Sequence, residues 1–252
     1  MPDAVPFWVS TDASPQDRKL AQAMATQWNL PLAATLPDGL MLVIENNLLQ
    51  LKDNEKPRQQ GIYVDFLAGD IQYRRQHGGG KKEPIAKAVG VKGQNVPTVV
   101  DATPGLGRDA YVLASLGCKV IMVERSAVVS ALLEDGLRRL AEADPALAGQ
   151  LSLLHGNSIE VMAGWTAPDI DVVYLDPMFP HRKKAAAVKK EMKVFQQLLG
   201  DDPDSDQLLA PARRLAQKRV IVKRPNSAAY LADTAPSMAI ASKKHRFDVY
   251  IK

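Results

Sequence analysis

The run Val172-Val173-Tyr174-Leu175-Asp176-Pro177-Met178-Phe179-Pro180 holds the residue types with the most evident chemistry. Four apolar residues suit a buried strand, and the chain then stops at an acid, two prolines and an aromatic ring. Proline fixes φ and removes N–H donors, so the neighbouring carbonyl oxygens point outward from a stiff loop. Such an edge suits methylation of an exocyclic amine, whose lone pair is delocalised into its ring and attacks poorly. Asp176 and the Pro177 carbonyl would accept the two N–H bonds and localise that lone pair, while Phe179 stacks on the base. Asp176, Pro177 and Phe179 are therefore the candidate catalytic residues, acting by alignment and electrostatic support. The plainer reading is a strand-ending Asp-Pro turn over a buried Phe. The full D-P-x-F-P pattern after a fourth strand weighs against it.

A second cluster lies upstream, in Asp101-Ala102-Thr103-Pro104-Gly105-Leu106-Gly107-Arg108-Asp109-Ala110. Gly105 and Gly107 allow a sharp turn and close approach to a ligand, and the helix that follows offers free N–H groups. The pattern G-x-G-x-x-A fits a dinucleotide fold as well. Glu124, at the end of the next strand, suits a ribose diol in either NAD or S-adenosylmethionine. His155-Gly156-Asn157-Ser158 would read an adenine edge, or Asn157-Ser158 would simply cap a helix. Two features favour S-adenosylmethionine. Asp101 stands four residues before Gly105, placed to hold an ammonium or its loop, and Arg108-Asp109 would crowd a pyrophosphate.

Basic runs flank these clusters: His181-Arg182-Lys183-Lys184, Lys189-Lys190, Lys193, Lys223-Arg224, Lys243-Lys244-His245-Arg246 and the Arg74–Lys82 segment. Several such runs at strand ends read as a phosphate-binding rim. The four histidines have no metal spacing, so no metal is expected.

The elements needed to position these groups are legible. Thr98–Asp101, Val120–Glu124, Leu151–His155, Asp171–Asp176, Arg219–Lys223 and Phe247–Ile251 read as strands. Gly107–Leu116, Ala127–Ala141 and Val188–Leu199 read as helices between them. Alternation of this kind implies an α/β, mainly parallel sheet with ligands beyond the strands' carboxyl ends. Upstream, Ser14-Pro15 opens a helix with a Leu20-Met24-Trp28 stripe, and Leu40–Ile44 and Leu48–Leu51 flank an Asn46-Asn47 turn. Ile62–Phe66 reads as a further strand and Pro84–Val89 as a short helix. The division falls near Val96-Pro97: a small α+β lobe with a basic Gly-rich loop over 1–95, and a Rossmann-like domain over 96–252.

With 252 residues, 46% hydrophobic and 24% charged, the composition is that of a globular protein and excludes a collagen, a disordered tail or a disulfide scaffold. The single cysteine, Cys118, cannot form an internal disulfide. No apolar run approaches the roughly 20 residues that cross a bilayer, and Met1–Ser10 lacks the pattern of a leader. A soluble, cytoplasmic protein without a membrane partner is expected.

Taken together, the Asp101–Ala110 run, Leu175–His181, Val222-Lys223-Arg224-Pro225, His245-Arg246-Phe247-Asp248 and Gly78-Gly79-Gly80 resemble the ribosomal RNA small subunit methyltransferase J family. The resemblance implies a Rossmann-like class I methyltransferase that uses S-adenosylmethionine to methylate N2 of a guanine in 16S rRNA, free or in the small ribosomal subunit. It also implies cofactor contacts at Arg108-Asp109, Glu124-Arg125, Asn157-Ser158 and Asp176. Asn157 departs from the Ser-Ser of the family pattern, and Thr103 from the glycine common in the wider class. Adenine N6 or a glutamine amide would suit the same loop. A non-catalytic RNA-binding assembly factor with a vestigial pocket is the alternative from another class.

Overall fold

The computed structural model describes residues 5–68, 80–166, 168–177, 204–243 and 245–252. Near the N-terminus, β1 (Phe7–Trp8), α1 (Pro15–Gln27), β2 (Leu32–Ala33), β3 (Leu40–Glu45) and β4 (Leu48–Asp53) build a four-stranded sheet of order β2-β1-β3-β4 with one helix on it. Ser14 caps α1 by accepting the Asp17 N–H at 3.0 Å, and Pro15 fills the first helical position. Asn46 and Asn47 turn the β3–β4 hairpin with φ of 52° and 62°, values that asparagine tolerates. The buried face of α1 differs from the expected stripe. Ala21, Met24 and Ala25 are buried, whereas Leu20 and Trp28 lie at its margins. Small alanines let the helix approach β3 closely, and Trp28, just past the last turn, donates its indole N–H to Glu134 instead.

The remaining elements are α2 (Pro84–Val89), β5 (Thr98–Asp101), α3 (Arg108–Ser115), β6 (Lys119–Glu124), α4 (Ala127–Ala143), α5 (Pro145–Ala148), β7 (Leu151–His155), α6 (Ser158–Ala163), β8 (Val172–Leu175), α7 (Leu209–Leu215), β9 (Arg219–Pro225), β10 (Met238–Ala241) and β11 (His245–Ile251). Their strands form one seven-stranded sheet of order β10-β11-β9-β8-β5-β6-β7. Strands β5 to β9 run parallel, and β11 is antiparallel to both β9 and β10. This is a Rossmann-like sheet. Its order reverses between β5 and β8, which opens a crevice at the carboxyl ends of those two strands.

Two apolar layers cover the sheet, which is why its central strands carry apolar residues at successive positions. Val99, Val120, Met122, Tyr174, Ile221 and Phe247 face one layer, together with Phe7, Leu42 and Leu49 of the smaller sheet. Val100, Val123, Val173, Leu175, Val220 and Val222 face the other, against Leu208, Leu209 and Ala212.

Ile62–Phe66 is not a strand. Ile62, Val64 and Phe66 are buried in alternation, but Leu51↔Ile62 is an isolated bridge. Ile62 exchanges both backbone hydrogen bonds with Leu51 of β4, and the pairing stops there: the Val64 carbonyl accepts from Arg139 of α4 instead of a strand partner. Close approach is possible because α4 carries Gly136, where a Cβ would stand 2.4 Å from Val64 Cγ1. The expected helix Val188–Leu199 lies outside the described residues. No helix among the described residues is long and apolar enough to cross a membrane.

Candidate active site

The crevice between β5 and β8 gathers three carboxyl groups and one ammonium. Asp101 ends β5, fully buried, and accepts the Thr103 N–H at 3.1 Å. Asp176 follows β8, and its own N–H donates to Thr103 Oγ1 at 2.5 Å, which locks the ends of the two strands together. From β9, Lys223 Nζ reaches Asp109 Oδ2 at 2.7 Å and Asp176 Oδ2 at 2.8 Å. The Tyr174 hydroxyl donates to the same Asp109 oxygen at 2.7 Å. Asp109 sits in the first turn of α3, so one connected network joins β8, β9 and the glycine turn. The Asp176 side chain is 39% exposed, the most open member of the group.

Electrostatics in this recess are set by burial first and charge second. Burial pushes the Asp101 carboxyl up to about 8, the Thr103 N–H opposing and Asp109 and Asp176 adding to the rise. Asp176 is likewise raised by its removal from water, with Lys223 pulling the other way. For Lys223, burial works against the charge, but Asp176 and Asp109 outweigh it and hold the ammonium above its ordinary value. Burial, with Asp109 and Asp176 nearby, keeps the Tyr174 hydroxyl protonated.

Around this centre the structure uses the sequence-predicted residues in different ways. Gly105 adopts φ +52° with open space where a Cβ would project, so the turn leaves room for a ligand. Gly107, at φ +72°, caps α3, and a Cβ there would meet Phe66 at 2.9 Å; its glycine serves packing. Arg108 is exposed at the start of α3. Glu124 is buried at the end of β6, accepting the Ser126 N–H at 2.7 Å. Arg125 pairs with Asp204 at 3.0 Å. Asn157 caps α6 through a 2.9 Å bond from Ile159 N–H, and the Ser158 hydroxyl donates to the Ala102 carbonyl at 2.7 Å. The side chains of that pair are thus spent on the fold. Pro177 is buried beside Asp176, while Phe179 lies outside the described residues.

The phosphate rim needs correction at Lys223 and Arg246. Lys223 is committed to two carboxylates. Arg246 is committed to Asp248 and to the carbonyls of Pro225, Asn226 and Ala228. The runs 181–184 and 189–193, residues 74–79 and Lys244 lie outside the described residues.

A family model for SAM-dependent methyltransferases (SAM_MT) matches residues 23–252. The ribosomal RNA small subunit methyltransferase J of Alteromonas mediterranea is 54% identical, with 100% of this chain and 98% of that protein covered. The protein of that name from Cronobacter sakazakii is also 54% identical, over 90% and 91%. The chain belongs to the ribosomal RNA small subunit methyltransferase J family. A crystal structure of a SAM-dependent methyltransferase from Neisseria gonorrhoeae, 36% identical, superposes with a TM-score of 0.77 over 98% of this chain and 96% of that one. The protein is an S-adenosylmethionine-dependent methyltransferase with a Rossmann-like fold.

The donor set suits the cofactor of the methyltransferase J family. Among the described residues, Asp109 and Asp176 set two carboxylates against one lysine, with the protonated Asp101 beside them, an environment that repels a pyrophosphate and welcomes an ammonium and a sulfonium. Sequence reasoning missed Tyr174 and Thr103 as members of this network. A tyrosine among valines in a fully buried strand was the available signal, because a buried hydroxyl requires a partner.

The buried Asp101 has a consequence for stability. Its carboxyl stays protonated in the folded state up to about pH 8, whereas in the unfolded chain it releases its proton near the ordinary aspartate value of 3.8. The native state therefore binds more protons between those values, and stability falls as pH rises through that window. Asp101→Asn, which keeps an acceptor for Thr103, is expected to flatten this fall. Urea denaturation midpoints at pH 5 and pH 8 measure it; an unchanged slope would remove Asp101 as the cause.

Proposed function

We propose that this methyltransferase transfers its methyl group to the exocyclic N2 amine of a guanine in 16S rRNA. Relatives 52–58% identical carry the name of ribosomal RNA small subunit methyltransferases, which supports an rRNA substrate. The observation that carries the amine chemistry is Asp176: it stands in the crevice at the end of β8, partly exposed, with one oxygen held by Lys223.

The cofactor supplies an electrophilic methyl carbon on a positively charged sulfur, an excellent leaving group. Asp101, Gly105, Arg108, Asp109, Glu124, Arg125, Asn157, Ser158 and Asp176 bind it in this reading. Glu124 takes the ribose diol, the backbone at Asn157 and Ser158 lies along the adenine, Asp109 attracts the cationic tail, and Asp101 holds the loop around it through the Thr103 N–H. Asp176 and the Pro177 carbonyl accept the N–H bonds of the amine, and Phe179 stacks on the base. As the new C–N bond forms, the C–S bond breaks with its electron pair left on sulfur, and the nitrogen loses a proton to Asp176 or to water. Alignment does most of the work, since no strong base is required.

Residues 1–95 form a lobe that brings the basic run Arg74–Lys82 to the RNA in this reading, and residues 96–252 carry the chemistry. The reaction belongs to the cytoplasm, where ribosomal subunits are found. Mass analysis of nucleosides after incubation with 16S rRNA or small subunits tests the proposal. N2-methylguanosine is expected. N6-methyladenosine, or methyl groups on protein glutamine, would overturn the substrate. Absence of any cofactor binding in calorimetry would favour an assembly factor instead.

A further inference from the structure

Lys223 sits where a surface lysine would not. It follows the buried run Val220-Ile221-Val222 in β9, on the strand face shared with Ile221. Val222 lies opposite Leu175, so Lys223 emerges beside Asp176 at the carboxyl ends of the two strands. Its two ion pairs both use an Oδ2 atom, on Asp109 and on Asp176. We propose that Lys223 is a positioning residue for methyl transfer: it turns Asp176 so that the other oxygen meets the amine, and ties that carboxylate to Asp109 on the cofactor side. The inference rests on the reading of Asp176 given above and deepens it.

Three observations favour this role over its rivals. Phosphate binding is disfavoured because the ammonium already has two carboxylate partners. Proton abstraction is disfavoured because those partners hold it charged. The two partners lie on different elements, Asp109 in the first turn of α3 and Asp176 after β8, so the ammonium couples the glycine turn to the strand end where the amine would sit. Among the described residues, five groups bear on the Asp176 charge. Lys223 and Arg224 of β9 favour the carboxylate, Asp109 of α3 and Asp101 of β5 oppose it, and the neutral Tyr174 of β8 hydrogen-bonds Asp109. Of the two cations, Lys223 is the one bonded to Asp176. Without it Asp176 would keep its proton to higher pH and would also lose its fixed orientation.

The test compares Lys223→Met and Lys223→Arg with the unaltered enzyme in steady-state methylation of rRNA across pH 5 to 9. Lys223→Met is expected to lower kcat by about 10²-fold at neutral pH through misorientation. Its acid limb should move up by about one pH unit or more, because a carboxylate without its cation ionises later. The KM for RNA should change little, and Lys223→Arg should return the limb close to its original position. A Met variant with an unmoved acid limb overturns the proposal, as does an Arg variant with a limb shifted as far as that of Met. Lys223→Gln provides the same comparison if the Met variant does not fold. Asp176→Asn separates this failure from that of the underlying reading. If that variant still methylates, the role of Asp176 itself falls; if it is inactive while Lys223→Met keeps the original limb, the Lys223 proposal alone falls.

Discussion

Asp176→Ala is expected to lower kcat for methyl transfer by about 10²- to 10³-fold, the range set by removing one preorganised polar group from a transition state. The fold should survive. Asp176 follows the last ladder residue of β8, its side chain is 39% exposed, and its backbone N–H to Thr103 Oγ1 does not depend on the carboxylate. Lys223 keeps Asp109 as a partner, so no buried cation is stranded. Burial also raises the Asp176 carboxyl, so its charged form is a cost that the alanine variant removes. Labelled-methyl incorporation measures the loss, and a denaturation midpoint close to that of the parent excludes unfolding as its cause. Activity within a few-fold of the parent would take Asp176 out of the mechanism.

How far the sequence reached depended on which interactions carry a short-range signature. The strand ends were legible because Asp101 and Asp176 each close a short apolar run, and the structure brings both into one crevice. The Ser14-Pro15 helix start and the Asn46-Asn47 turn were legible for a similar reason: cap and turn chemistry is local. Lys223 was misread as part of a phosphate rim because its partners are 47 and 114 residues away. Arg246 was misread in the same way, since the carbonyls it binds belong to a loop that only the β9–β11 pairing brings near. Ile62–Phe66 has the alternation of a strand, and alternation reports burial on one face without saying what pairs with the backbone. Strand β10 left no alternating pattern, because an exposed edge strand needs none.

The largest stability effect should come from Asp135, a residue far from the chemistry and fully buried in α4. Its Oδ1 accepts from Arg138 at 2.8 Å, and its Oδ2 accepts from Arg139 at 2.9 Å and from the Leu49 N–H at 3.2 Å. Arg138 continues to the Asn47 carbonyl at 2.7 Å, and Arg139 to the Val64 carbonyl. One carboxylate thus organises two guanidiniums that hold the β3–β4 hairpin and the Ile62–Phe66 segment against the large sheet. Asp135→Ala leaves both arginines without their shared anion and the Leu49 N–H without an acceptor. Arg138 keeps Glu142 at 3.0 Å and Arg139 keeps Asp65 at 3.7 Å, so neither cation is stranded, and losing the buried anion and the Leu49 acceptor costs about 2–3 kcal/mol. For a chain of this length that loss corresponds to a drop in Tm on the order of 10 °C. Asp135→Asn keeps an acceptor for Leu49 and loses the charge, so it should fall between the two. Cofactor binding to the folded fraction should persist in both variants, since the crevice at β5 and β8 does not touch this network. A Tm for Asp135→Ala within about 2 °C of the parent, under 1 kcal/mol at this size, would mean that the hairpin is held by apolar packing and that the ion cluster is dispensable.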